Sequence, residues 1–178
     1  YIIVSVIAIL WNLMTIGHSL PWCDEVMLLD TNATMHYYGE WATTAYNDYG
    51  QGTRPFNVYM PLYNWLMYIW VSIFGFSMLV IRTFNLVFAF MLGWALLHLA
   101  KLINRQNFSK VTVILYALCF WCTDVMMMTY RMSRPEIVGS LMTVIFAIYL
   151  YKTLTSEHKY IWQDRKSTRL NSSHSQIS

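Results

Sequence analysis

Two adjacent carboxylates, Asp24 and Glu25, follow a long uncharged run in the segment Trp22-Cys23-Asp24-Glu25. Acids at the edge of an apolar segment have two uses. Asp24 can cap a helix that begins at Glu25, with both carboxylates favoured by the helix dipole. Alternatively, a carboxylate there takes a proton from an acceptor hydroxyl while a leaving group departs on the opposite face. Residue types leave both open. The segment Arg134-Pro135-Glu136 poses the same choice. Proline and glutamate suit the first turn of a helix, and Glu136 also qualifies as a second acid of a site. An anionic leaving group needs positive charge near it, from a bound divalent cation or from an arginine, whose planar fork binds oxygens in pairs. Arg54, Arg131 and Arg134 are the candidates.

Other chemistry is poorly represented. Cys119 and Cys122 form Cys-Phe-Trp-Cys inside an apolar run, where buried helix thiols are expected rather than a metal or redox pair. Three cysteines make no disulfide framework. His18, His36 and His98 lack ligand spacing. Asn32-Ala33-Thr34 is a formal glycosylation sequon. No glycine-rich phosphate loop is present, which argues against direct nucleotide use.

The elements that position these groups are set by hydropathy. Of 178 residues, 57% are hydrophobic and 12% charged, about half the charge of a soluble domain. Apolar runs near 1–20, 58–76, 80–100, 111–129 and 137–154, with Arg82, Asp124 and Lys152 as their only charges, alternate with short polar stretches. This predicts an all-α, multi-pass transmembrane bundle of four or five spans. Asp124, inside the fourth run, is expected near a membrane boundary. Arg82 is either an anchor at the cytosolic face or a functional charge within the membrane.

The external loop, 21–57, holds Asp24, Glu25, Asp30, Glu40 and Asp48. Tyr37, Trp41 and Ala45 share a helical stripe within it, predicting an interfacial amphipathic helix. The net charge of +3 resides entirely in Arg165, Lys166 and Arg169, so residues 1–163, the membrane domain, carry no basic footprint for nucleic acid. Residues 164–178 are almost devoid of large apolar side chains and resemble vector read-through, so disorder is expected. The lack of an initiator Met and of a basic leader suggests that the chain begins inside a longer protein.

The order of short motifs carries a resemblance. Asp24-Glu25 precedes a tyrosine-rich loop with Gly39. Met60-Pro61-Leu62-Tyr63, Phe74-Gly75-Phe76-Ser77, Arg82 and Arg134-Pro135-Glu136 follow. Over residues 1 to 155 this resembles the N-terminal part of GT-C class membrane glycosyltransferases. It is most similar to the Rgt-like and protein-mannosyltransferase-like group that includes the lipid A aminoarabinose transferases. The first proline of that group's Pro-Pro-Leu-Tyr-like segment is absent, as is a preceding lysine, for which Arg54 is a loose substitute.

The resemblance implies transfer of a sugar from a polyprenyl-phosphate donor to a lipid, glycan or protein acceptor, with inversion. Asp24 would be the base, assisted by Glu25, with Arg54 and Arg134 on the donor phosphate and Glu136 as a second acid. A divalent cation is an optional cofactor. The implied location is a bacterial plasma membrane or the endoplasmic reticulum. The competing expectation is a non-catalytic transporter or scaffold in which the acidic loop is a solvated connection. Five strictly alternating spans would put Asp24 and Glu136 on opposite sides of the bilayer, whereas a shared site needs them together. One run is therefore expected to be re-entrant or interfacial.

Overall fold

The computed structural model describes residues 1–16, 23–43, 61–105 and 107–174, with backbone alone for residues 23, 24, 27, 28 and 156–174. The described residues form seven helices: α1 (Ile2–Thr15), α2 (Cys23–Tyr38), α3 (Pro61–Phe74), α4 (Met78–Asn104), α5 (Lys110–Cys122), α6 (Asp124–Arg131) and α7 (Glu136–His174). Among the described residues there is no strand.

α4 is the axis of the bundle. Its buried positions include Ile81, Phe84, Asn85, Leu86, Ala89, Leu92 and Gly93 and are spread around the helix, the pattern of a helix enclosed by neighbours. It starts at Ser77, whose side chain accepts from the Val80 amide, and stops at Arg105 in the left-handed conformation (φ 53°). α7 forms its longest interface, and α1, α3 and α6 also lean on it.

Hydrogen bonds fix the direction of each helix. Tyr1 donates to the Phe90 carbonyl, while Thr15, at the other end of α1, accepts from Arg131. Asn85, near the start of α4, donates to the carbonyls of Met132 (2.6 Å) and Arg134 (3.0 Å). α7 therefore begins where α4 begins, and its Leu141 and Ile145 lie beside Met91 and Trp94. The bundle has a carboxylate end, with Glu25, Ser133 and Glu136, and a lysine end, with Lys101 and Lys110.

Among the described residues, two helices are long and apolar enough to cross a membrane, Met78–Asn104 and the Glu136–Thr155 part of α7. α5 and α6, bent by 61° at Thr123, make a third if they act as one span. The other runs expected to span, 1–20 and 58–76, extend outside the described residues. α1 and α3 have 14 residues each, which rise only about 21 Å against about 30 Å of hydrocarbon.

Of the run expected at 58–76, the described helix is α3. α3 lies antiparallel along the first half of α4, with Tyr63 beside Phe84 and the Trp70 indole donating to the Val80 carbonyl. From Pro61 to Phe74 it runs toward the end of the bundle where α4 begins. The backbones of Asp24 and Glu136 lie at one end of the bundle, where Glu25 meets the Ser133 amide.

Three local expectations are also corrected. The helix in the first loop is α2, not an interfacial stripe from Tyr37 to Ala45. It ends before Gly39, whose φ of +74° breaks the helix, and the Thr43 hydroxyl folds back onto Asp30 at 2.6 Å. Cys119 and Cys122 are exposed on the outer face of α5 rather than buried. The backbone of α7 is helical through the expected disordered tail to His174, because extending an existing helix costs far less than nucleating one.

Candidate functional site

The carboxylate end is built on a buried ion pair. Arg82 donates from Nε to Glu25 Oε1 at 2.9 Å and from Nη2 to Oε2 at 2.8 Å, and its Nη1 donates to the Ile16 carbonyl. Glu25 is 0% and Arg82 2% exposed. The Ser133 amide adds a third donor to Glu25 Oε1 at 3.1 Å. One carboxylate thus gathers α2, the end of α1, α4 and the turn before α7. A buried charge pair requires this degree of hydrogen bonding, since desolvation otherwise outweighs the attraction.

A neutral network abuts the pair. The Tyr63 hydroxyl lies 2.8 Å from Ser133 Oγ and donates to Asn85 Oδ1 at 3.3 Å, and the Asn85 amide group caps the carbonyls that end α6. Polar atoms buried in an apolar bundle are held by one another in this way.

The expected site residues are distributed unevenly. Glu25, expected beside Asp24 as a site acid, has both oxygens occupied, which suits it to positioning rather than to accepting a proton. Asp24 lies in the first turn of α2, which begins at Cys23, so it does not occupy the expected cap before Glu25. Its side chain is outside the described residues, as is all of Arg54. Arg134 and Glu136 pair at 3.2 Å and are 32% and 53% exposed, so an arginine and an acid stand open to approach next to the Ser133 amide. Arg131 instead reaches Thr15, 3.2 Å away on α1. Arg82 is neither a surface anchor nor a solvated charge.

Tyr63, Asn85 and Ser133 were not anticipated in the site, and Arg82 was expected only as an anchor or a functional charge, without its partner. Arg82 had a legible signal, being the sole charged residue between Met78 and Ala100; such a residue needs a counter-ion in an apolar helix. The sequon is closed to modification here, because Asn32 is fully buried and donates to Asn64 at 3.2 Å. Among the described residues no three His, Cys, Asp or Glu side chains converge to hold a metal ion, and no step is routed through one. No protein-family model, curated protein or solved structure matches the chain.

Proposed function

We propose that this chain is a multi-pass membrane domain of a glycosyltransferase that uses a polyprenyl-phosphate sugar. Membrane residence is supported by an inverted distribution of polarity. Ile3, Trp11, Met14, Val111 and Phe146 face outward, whereas Ser5, Asn12, Asn64, Arg82 and Asn85 are buried. Large outward apolar surface suits lipid contact, and polar groups in a membrane turn toward the bundle interior. Under the positive-inside tendency the lysine end is cytosolic and the carboxylate end external.

The observation that carries the enzymatic proposal is the Ser133 amide on Glu25, 3.1 Å across 108 positions of chain. It joins the acidic motif of α2, in which Asp24 precedes Glu25, to the Arg134-Pro135-Glu136 turn. In the reaction, Asp24 takes the proton from an acceptor hydroxyl. The acceptor oxygen bonds to the anomeric carbon as the carbon–oxygen bond to phosphate breaks on the opposite face. The electron pair leaves with polyprenyl phosphate, whose charge Arg134 stabilises, itself steered by Glu136.

The test is transfer of radiolabelled sugar from a polyprenyl-phosphate donor in membranes containing the protein. Asp24→Asn should lower transfer by about a hundredfold or more at unchanged protein level. A carboxylate that only favours the helix dipole contributes about 0.3–1 kcal/mol, so near-normal transfer by Asp24→Asn would remove the catalytic role. Absence of transfer by the unsubstituted protein would favour the scaffold, for which the fully bonded Glu25–Arg82 pair serves packing alone.

A further inference from the structure

At the lysine end, α1, α4 and α5 leave an open groove of about 740 Å³. Ile2, Trp94, Leu97 and Ile114 line its walls, and His98, Lys101 and Lys110 stand along it. A second groove of about 530 Å³ shares Ile2 and Trp94 and continues between α4 and α7 past Met91 and Ile145. No polar surface lines the second groove. Together they form an apolar channel, basic at one end and apolar at the other.

The charged side chains that line the first groove, Lys101 and Lys110, are both basic. No Asp or Glu occurs in α1, α4 or α5, or in α7 between Glu136 and Glu157. Arg105 lies just beyond Lys101, and Lys152, two helical turns after Ile145, reaches the same level on α7. Lys110 occupies the first turn of α5, behind the Ser109 cap, where the helix dipole disfavours a cation. That N-terminus and Lys110 together attract an anion. Trp94, 50% exposed, is an amphipathic ring at the junction of the two grooves.

We propose that this groove binds an anionic phospholipid of the bilayer, with the headgroup phosphate between Lys101 and Lys110 and an acyl chain running past Trp94 toward Ile145. Basic pockets between membrane helices on the cytosolic side recognise such headgroups, and each nearby Lys strengthens binding about fivefold. The apolar continuation selects a lipid over a free phosphate, which would leave it uncovered. The inference rests on membrane residence but not on sugar transfer, so it survives if Asp24 proves inert.

Its test uses the full chain reconstituted in phosphatidylcholine bilayers containing brominated phosphatidylglycerol or brominated phosphatidylcholine. Acyl bromines quench tryptophan on contact, and Trp94→Phe isolates the contribution of Trp94. Brominated phosphatidylglycerol should quench Trp94 at a mole fraction at least about tenfold lower than brominated phosphatidylcholine. Lys101→Gln and Lys110→Gln should each weaken the preference about fivefold, and Lys101→Arg with Lys110→Arg should retain it. Equal quenching by the two lipids, or a preference indifferent to both Gln variants, overturns the proposal. So does displacement of the brominated lipid by inorganic phosphate, which would mark a bare anion site.

Discussion

Glu25 and Arg82 are the residues on which the carboxylate end depends, since each is the counter-charge the other needs to be buried. Removing one leaves the other charged in an apolar interior, at a cost of about 3–5 kcal/mol. Removing both avoids that cost. Glu25→Gln and Arg82→Met should therefore each lower the unfolding midpoint in detergent sharply. The double variant should be more stable than either, with a coupling of about 2 kcal/mol or more. Additive losses would mean that the pair contributes little beyond its separate contacts. In a sequence, Arg82 announces its need for a partner but not the partner's identity, because Asp24, Glu25, Asp30 and Glu40 are chemically equivalent candidates.

Between elements, the contact of α1 with α4 turns on Gly93. Glycine in a helix costs about 1 kcal/mol relative to alanine, yet a Cβ here would fall 2.1 Å from the Tyr1 hydroxyl and 3.0 Å from Phe120 Cε1. The Gly93 carbonyl also accepts from Tyr116 at 2.8 Å, so α1, α4 and α5 meet at one residue. Gly93→Ala should expel the Tyr1 ring, break its bond to Phe90 and lower the melting temperature despite better helix propensity. Tyr1→Ala added to Gly93→Ala should recover part of the loss. A stabilised Gly93→Ala protein would show that α1 is not seated there. A second junction, α5 to α6, bends because Thr123 adopts extended angles (φ −74°, ψ 130°). No proline or glycine marks that position, and the bend is held by neighbours, with the Tyr130 hydroxyl donating to the Trp121 carbonyl at 2.8 Å.

At the scale of the whole molecule, the two ends of the bundle must face opposite sides of the membrane if the proposed arrangement holds. Glu40 is exposed at the carboxylate end, and Asn107 is exposed between α4 and α5. In a background with Cys23, Cys119 and Cys122 replaced, Glu40→Cys and Asn107→Cys should react with an impermeant maleimide from opposite faces of sealed vesicles. Asn107→Cys is expected on the cytosolic face. Labelling of both from one face would remove the topology and the sidedness of both grooves.

What the residues determine by themselves is local. An apolar run satisfies its backbone within its own segment, so the helical class, the places of α4, α5 and α7, and the separation of acids from lysines along the chain were legible. The polar α2 and the helical backbone of residues 164–174 were not, since neither has an apolar stripe to betray it. Tertiary structure decided the rest. Glu25 found Arg82 across 57 positions, α3 turned back along the first half of α4, and the sequon at Asn32 was buried against Asn64. Each outcome depends on which surfaces meet, and an energy shared between distant segments is written in neither one alone.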